Sequence, residues 1–283
     1  MMETVAVLMT CHNRVDKTLK CLSTFWDQAT SDGDREYKLF LVDDGSKDET
    51  GRLVKKQYPQ AEVMYGDGSL FWNRGMHRAF GAALEIGFDY YLWLNDDTYL
   101  YPDALEKLFN THQMLSQEGR AASIVVASTR DPGSGKFTYG GYKRTERFNP
   151  LSLHLVRPED RPVRCDAMCG NCVLIPKEVA DVVGNINPEY KHRWGDVDYG
   201  LRALARKCQV WIAPGYLADC EGNPKASRWR DKTLPLSQRY QELHSIKGIG
   251  RIDWYRYVKN NGGIFWPLIW GRPYMRIIVD TFR

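Results

Sequence analysis

Two pairs of adjacent carboxylates are the first candidates for chemistry, because each follows an apolar run that predicts a buried strand. Asp43-Asp44 follows residues 37–42, and Asn95-Asp96-Asp97 follows residues 90–94. Two carboxylates about 5 Å apart repel by roughly 3 kcal/mol at an effective dielectric near 20. A raised pKa, full solvation or a bound cation relieves such repulsion. The second pair suits Mg²⁺ or Mn²⁺ completed by phosphate oxygens, and the plain alternative is that one aspartate caps the next helix.

A third acidic segment, "HRWGDVDYGLRA" at residues 192–203, predicts a helix that begins near Gly195. Asp198 can pair with Arg202 one turn later, so we expect Asp198 to be structural. Asp196 has no such partner in the sequence and is our candidate for a general base. The alternative is an aspartate that only favours the positive end of the helix dipole.

Strands and helices alternate through the first half of the chain, and this order places both acidic pairs. Predicted strands cover residues 5–10, 37–42, 62–65 and 90–94, and predicted helices cover 15–28, 48–58, 73–86 and 102–116. Such an order predicts a mostly parallel sheet with helices on both faces. Ligands of these sheets lie beyond the carboxyl ends of the strands, where both acidic pairs fall.

The middle of the chain, residues 124–176, is richer in short strands and turns, and further elements are predicted at 177–183, 196–207 and 209–213. Cys165-x3-Cys169-x2-Cys172 invites comparison with zinc sites. A closed zinc site needs four ligands, and His154 and His192 are both remote, so the spacing disfavours zinc.

Four segments in this order and spacing, "VAVLMTCHNR", "LVDDGSKDET", "LWLNDDT" and "WGDVDYGLR", resemble family 2 glycosyltransferases of the GT-A fold. The resemblance covers about residues 4–222. It implies a Rossmann-like α/β domain with a mostly parallel central sheet and flanking helices. It also implies transfer of a sugar, with inversion, from a UDP- or dTDP-sugar to an acceptor hydroxyl. Bacterial surface polysaccharide or glycolipid assembly is the expected setting, with a glycan or lipid-linked acceptor.

On this basis residues 1–222 form the predicted catalytic domain, and the resemblance assigns roles within it. Residues 1–116 are the nucleotide-sugar half and 117–222 the acceptor-side half. Thr10 and His12 would line the base pocket, and Asp44 would accept a hydrogen bond from the uracil or thymine imide. Arg14 and Arg74 are candidates for diphosphate contact, because a leaving diphosphate needs positive charge.

The resemblance also makes Asp97 the ligand of Mn²⁺ or Mg²⁺, with Asp96 reaching the sugar or ribose, and Asp196 the catalytic base. Many relatives carry Glu-Asp at residues 195–196, whereas this chain has Gly-Asp and so a single candidate. Relatives often place a histidine ligand after the strand predicted at 209–213, where this chain has Asp219-Cys220-Glu221. Either Asp219 or Glu221 substitutes for it, or the metal is held more weakly.

The composition is that of an ordinary globular protein, with 43% hydrophobic and 26% charged residues. No apolar stretch reaches the ~18 residues that would span a bilayer, and the first residues lack a basic region typical of a signal peptide. Seven cysteines, an odd number, favour reduced thiols. We therefore expect a cytoplasmic protein.

The charge is unevenly distributed along the chain. Residues 225–283 carry 12 Lys/Arg against 4 Asp/Glu, a net of +8, and the remainder carries 27 against 31, a net of −4. Residues 223–283 thus form a basic, aromatic, predicted helical extension, and residues 264–270 suit an interfacial segment. Either it lies on the anionic inner face of the cell membrane, or its helices pack on the catalytic domain. No nucleic-acid-binding motif accompanies it.

Two rival functions are weighed against transfer. A catalytically silent sugar- or partner-binding module could use the same fold, although the presence of both Asp97 and Asp196 argues against it. A sugar-nucleotide pyrophosphorylase would carry a glycine-rich loop after the first strand, and "TCHNRVDK" has no glycine. Trp72, Trp194 and Tyr199 are either sugar-stacking walls or core residues.

Overall fold

The computed structural model describes residues 2–146, 149–222, 228–245 and 248–281. The predicted start of the extension, residue 223, and Lys225 lie outside these residues. The strands are β1 (Glu3–Cys11), β2 (Arg35–Asp43), β3 (Glu62–Tyr65), β4 (Tyr90–Leu94), β5 (Tyr99–Leu100), β6 (Ser123–Arg130), β7 (Phe137–Tyr139), β8 (Gly141–Arg144), β9 (Leu153–Leu155), β10 (Val163–Cys165), β11 (Ala167–Met168), β12 (Cys172–Pro176) and β13 (Gln209–Asp219).

Helices follow most of the strands in the first half of the chain and gather at the end of the extension. They are α1 (Val15–Ala29), α2 (Thr50–Gln57), α3 (Phe71–Ile86), α4 (Ala104–Gln117), α5 (Lys177–Val183), α6 (Gly195–Ala205), α7 (Leu236–His244), α8 (Arg251–Asn261) and α9 (Trp266–Thr281). Among the described residues, no helix is long and apolar enough to cross a membrane.

The central sheet has the strand order β10-β13-β6-β12-β4-β1-β2-β3. Strand β1 runs parallel to both β2 and β4, and β2 runs parallel to β3. Strand β12 is antiparallel to β4 and β6, which joins the parallel half to a mixed half. The predicted α/β class with a mostly parallel central sheet is therefore confirmed.

The central strands are largely apolar because successive residues point to opposite faces of the sheet, and both faces are packed against helices. Val7 and Met9 of β1 pack into a cluster with residues of α1 and α4, whereas Ala6 and Leu8 pack into a second cluster with α3 and α6. Because both faces of these strands are covered, neither face needs polar residues. Polar residues lie mainly at the two ends of these strands, and the carboxyl ends of β1, β2 and β4 share one edge.

Short apolar runs, and glycines that end helices, predict most strand and helix bounds closely, with informative exceptions. The predicted bounds of β3, β4 and α5 match, and α3 ends at Gly87, whose φ is +84°. Helix α4 begins at Ala104, after the prediction, because Tyr99–Leu100 forms a short strand that pairs with β13. Neither Asp96 nor Asp97 therefore caps that helix, and the capping alternative is wrong.

The extension packs on the α/β part of the chain through its aromatic residues. Trp254 and Tyr257 of α8 share a buried cluster with Tyr190, Val197 and Leu201, which lie before and within α6. The packing alternative thus holds for α8. Helix α9 lies against α7 and α8 but keeps an exposed apolar face.

Candidate active site

Three hydrogen bonds fix the turn after β4, two between backbone groups and one between side chains. The backbone N–H of Asn95 donates to the carbonyl of Asn171 (2.8 Å), and its side-chain Oδ1 accepts from Trp72 Nε1 (2.7 Å). The N–H of Thr98 closes the turn on the Asn95 carbonyl (3.1 Å). Asp96 and Asp97 are thereby held at the edge of the sheet.

Arg14 bridges this acidic pair. Its Nη1 lies 3.1 Å from Asp96 Oδ1 and 2.8 Å from Asp97 Oδ2. Asp96 is buried, whereas the side chain of Asp97 is 25% exposed and that of Arg14 48% exposed. Burial raises the pKa of Asp96 to about 7; Arg14 opposes this rise and the neighbouring Asp97 adds to it. A guanidinium thus relieves the repulsion that the sequence predicts.

The predicted base pocket lies where β1 and β2 end side by side. His12 is exposed, and its Nδ1 donates to the carbonyl of Asp44 (2.6 Å). Thr10 is buried, and its hydroxyl donates to the Val42 carbonyl (3.2 Å). A Cβ at residue 75 would collide with that hydroxyl, so Gly75 lets α3 approach β1 closely. His12 alone of this set offers a ring to solvent.

Asp44 is buried and binds the turn that leads into α3. Its Oδ1 accepts from the N–H of Gly68 (2.9 Å) and its Oδ2 from the N–H of Phe71 (2.8 Å). Phe71 has a φ of +55°, a backbone conformation that such anchoring maintains. Each carboxylate oxygen keeps a further lone pair, and only these remain for a ligand.

Arg74 lies away from the acidic pair. Its Nε donates to the carbonyl of Pro188 (3.3 Å), and the side chain lines a shallow depression of about 600 Å³ together with His77 and Arg78. Neither Asp96 nor Asp97 is among the described residues that line it. The structure therefore joins Arg14, but not Arg74, to the acidic pair.

Asp196 lies at the start of α6, as predicted. Its Oδ2 accepts from the N–H of Gly170 (3.0 Å) and its Oδ1 from the N–H of Val197 (2.8 Å). Burial raises the pKa of Asp196, and these two N–H groups oppose the rise. A carboxylate with a raised pKa is better matched to accept a proton near neutral pH than an ordinary aspartate.

The segment around Gly170 connects Asp196 to the acidic pair. A Cβ on Gly170 would lie 2.6 Å from Trp72 Cζ2 and 3.3 Å from the Cβ of Asp196, so only glycine fits between them. Trp72 in turn bonds Asn95, next to Asp96. From the sequence Trp72 is either a sugar-stacking wall or a core residue and Gly170 has no assigned role, because their proximity depends on contacts between residues far apart in the chain.

Asp198 has the structural role that its spacing predicts. It is buried, and its Oδ2 accepts from Arg202 Nε (2.8 Å) while its Oδ1 accepts from Tyr190 Oη (3.0 Å). Arg202 also donates to the carbonyls of Val183 and Asn185. The pair anchors α6 and leaves Asp196 as the acidic residue that faces Gly170.

The donor atoms near Asp97 fit a divalent cation only in part. Cys220 Sγ lies 3.8 Å from Asp97 Oδ1, and burial raises the pKa of this thiol to about 12. Asp219 instead accepts from the Tyr101 hydroxyl, and Glu221 pairs with Lys17 (2.8 Å). No group of three or more His, Cys, Asp or Glu that could hold a metal occurs in the described part of the chain. The residues present fit a cation that takes one or two carboxylates and completes its shell with phosphate and water.

All seven cysteines are free and buried. Cys165, Cys169 and Cys172 belong to no metal-binding group within the described residues. Cys172 begins β12, a buried strand beside β4, as its apolar sequence predicts.

Comparison with known families bears on this edge of the sheet. The sequence model described as Glycosyl transferase family 2 matches residues 6–182. The match takes in more than half of the chain, including both acidic pairs and β12, and ends before Asp196 and the extension. No curated protein matches the sequence.

Proposed function

We propose, since this chain belongs to glycosyltransferase family 2, that it moves a sugar from a UDP- or dTDP-sugar to an acceptor hydroxyl with inversion. Membership of this family supports glycosyl transfer. Our proposal adds the donor, the stereochemistry and a role in bacterial surface polysaccharide or glycolipid assembly. The observation that supports it best is the line of contacts from Asp96 through Asn95, Trp72 and Gly170 to Asp196. These contacts link Asp196, the proposed proton acceptor, to the acidic edge that we propose to bind the cation.

The donor base would lie over the ends of β1 and β2. His12 offers an exposed ring there, and Asp44 would accept the imide N–H through the lone pairs left by Gly68 and Phe71. Thr10 would shape the floor of this pocket, because its own hydroxyl is already bonded within the sheet.

The diphosphate would draw Arg14 away from the acidic pair. A phosphate oxygen and a carboxylate compete for the same guanidinium N–H groups, and Arg14 is exposed enough to turn toward either. Arg74 would contribute through the N–H groups of Nη1 and Nη2, since it is Nε that donates to Pro188. When bound, Mn²⁺ or Mg²⁺ held by Asp97 would offset charge on the leaving diphosphate, with Asp96 directed to the sugar or ribose.

Asp196 would take the proton of the acceptor hydroxyl while the oxygen of that hydroxyl attacks the anomeric carbon from the face opposite the diphosphate. The bond between the anomeric carbon and the diphosphate would break in the same step. General-base assistance of this kind is typically worth ~10²–10⁴ in rate. Its raised pKa suits the role, because a carboxylate that is too weak a base returns the proton too readily.

The acceptor is proposed to be a glycan or lipid-linked molecule, reached at an anionic membrane surface through α9. Leu268, Met275 and Val279 recur at helical spacing on α9 and are exposed, Leu268 by 71%, and Ile264, just before the helix, is 87% exposed. Arg272 and Arg276 are exposed on the same helix. Apolar side chains flanked by arginines match the requirements of an interfacial helix on anionic lipid. The enzyme would then be cytoplasmic and peripheral on the inner face of the membrane.

The test is a thermal-shift panel of nucleotide-sugars with and without Mn²⁺, followed by transfer assays with the donors that bind. A ligand that binds only the folded state raises its apparent stability. We expect one pyrimidine-linked donor to raise Tm more than free nucleotides do, and to raise it further with Mn²⁺. Binding without transfer or hydrolysis across a broad acceptor panel would favour the silent binding module.

A further inference from the structure

We infer that helix α8 is a positioning element for Asp196 and acts through the turn at Trp194. This inference rests on the proposed role of Asp196 as the base. It concerns a part of the chain that lies beyond the region matched to the family.

The turn before Asp196 has an unusual backbone. Trp194 has φ +76° and ψ −15°, in the left-handed region that bulky residues rarely adopt. Its carbonyl nevertheless accepts the N–H of Asp198 (2.8 Å), which starts α6. A Cβ on Gly195 would collide with Asn73 Oδ1, so the next residue is also held in place. Backbone of this kind persists when its surroundings determine it.

The extension supplies those surroundings at the indole ring. Trp194 stacks on Tyr257, with ring centroids 4.7 Å apart and planes at 17°, and lies 5.2 Å from the ring of Trp254. Its Nε1 donates to the carbonyl of Ile249 (3.0 Å). Both aromatic partners are buried members of α8. Three residues of the extension thus contact the indole, and the guanidinium of Arg193, the preceding residue, lies 5.5 Å from the ring centroid.

The backbone before Trp194 is held in the same way. Asp253 accepts from the N–H of Lys191 (2.9 Å), and Arg256 Nη1 donates to the carbonyl of Glu189 (2.6 Å). Beyond the turn, Asn261 Nδ2 donates to Asp198 Oδ1 (2.9 Å). Helix α8 thus holds the chain on both sides of Asp196, although these contacts do not include Asp196 itself.

These contacts separate the placement of the base from the binding of the nucleotide. None of them involves the strand ends that carry His12 and Asp44. Loss of the ring at residue 257 should free the indole of Trp194, and the carboxylate two residues later would lose its alignment. Transfer would then fall while nucleotide affinity stays.

The experiment compares Tyr257→Leu with Tyr257→Phe, which keeps the ring, and with Ile252→Ala at an exposed position of the same helix. For each we would measure kcat, the Kd for the nucleotide, and amide hydrogen exchange in a peptide that covers Val197 and Asp198. Asp253→Ala is a second, milder variant for use if Tyr257→Leu does not fold. It removes one acceptor from a partly exposed position.

We expect kcat to fall at least tenfold in Tyr257→Leu, exchange at 197–198 to rise, and Kd to stay within twofold. The two controls should match the wild type. Unchanged kcat or unchanged exchange would overturn the inference, and so would a loss of nucleotide affinity as large as the loss of kcat. If the wild type transfers from no donor, the proposed function fails, and hydrogen exchange alone still decides whether α8 holds the turn.

Discussion

Arg14 Nη1 lies 2.8 Å from Asp97 Oδ2, so the proposed diphosphate ligand and the proposed metal ligand are bonded to each other. The same nitrogen also reaches Asp96. The guanidinium occupies Oδ2 of Asp97, so a cation bound at that oxygen would compete with Arg14, and donor binding is expected to break this ion pair. Cation and donor are thereby linked, because a diphosphate that attracts Arg14 also exposes Asp97.

Replacing Arg14 by alanine should strengthen Mn²⁺ binding in the absence of nucleotide. An ion pair this exposed is worth up to about 1 kcal/mol, so the Mn²⁺ Kd should fall by up to about fivefold. Electron paramagnetic resonance of free Mn²⁺ measures this without any turnover. Arg14→Lys, which keeps the charge, is the matched control. Weaker Mn²⁺ binding in the alanine variant would show that Arg14 does not compete for Asp97.

The proposed role of Asp97 as the cation ligand can be tested by substitution. Asp97→Ala should abolish the Mn²⁺-dependent part of donor binding and with it transfer, because Asp97 is the partly exposed carboxylate of the pair and Asp96 is buried. Glu221→Gln is the control, since Glu221 is exposed and pairs with Lys17. Isothermal titration of the donor with and without Mn²⁺ measures both variants. Equal losses in the two variants would assign Glu221 to the metal as well.

Asp196→Asn should bind the donor as the wild type does, but its transfer rate should fall by a factor of about 10²–10⁴. The amide keeps one oxygen for the N–H of Gly170 or Val197, so the turn should survive, but it cannot take the acceptor proton. Stopped-time assays of glycoside formation, with donor Kd measured alongside, test this. Wild-type turnover in the variant would remove Asp196 as the base.

The strand ends and helical pairs of the site can be predicted from sequence, whereas the contacts between residues on different elements cannot. Strand β4 and the acidic residues after it follow from an apolar run that stops at Asn95, and the pair Asp198–Arg202 follows from helical spacing. The bond between Arg14 and Asp97 joins residues on different elements, and no local pattern encodes it. The same holds for Trp194 and Tyr257, because the sequence shows two aromatics but not that they stack.

The pKa of Asp96 gives a prediction for stability against pH. Burial raises this pKa from an ordinary 3.8 to about 7, so the folded state holds a proton that the unfolded state has released above pH 4. The contribution of Asp96 to the free energy of unfolding is therefore fully present below about pH 4 and declines as pH rises toward 7. Asp96→Asn should lack this decline. Urea unfolding at about pH 4.5, 6 and 7.5 measures the difference between the two proteins. The same pH dependence in both proteins would contradict the prediction.

The exposed face of α9 gives the last prediction, which concerns where the enzyme works. Leu268→Glu with Met275→Glu should abolish flotation with anionic vesicles, because both side chains are exposed and two carboxylates would be repelled by the lipid. Ile252→Glu adds a charge to the exposed side of α8 and is the control. Binding of the wild type should weaken with salt, since surface attraction is screened within about 10 Å at 0.1 M. Unchanged flotation of the double variant would mean that α9 does not seat the protein on lipid, and the exposed face would then need a protein partner.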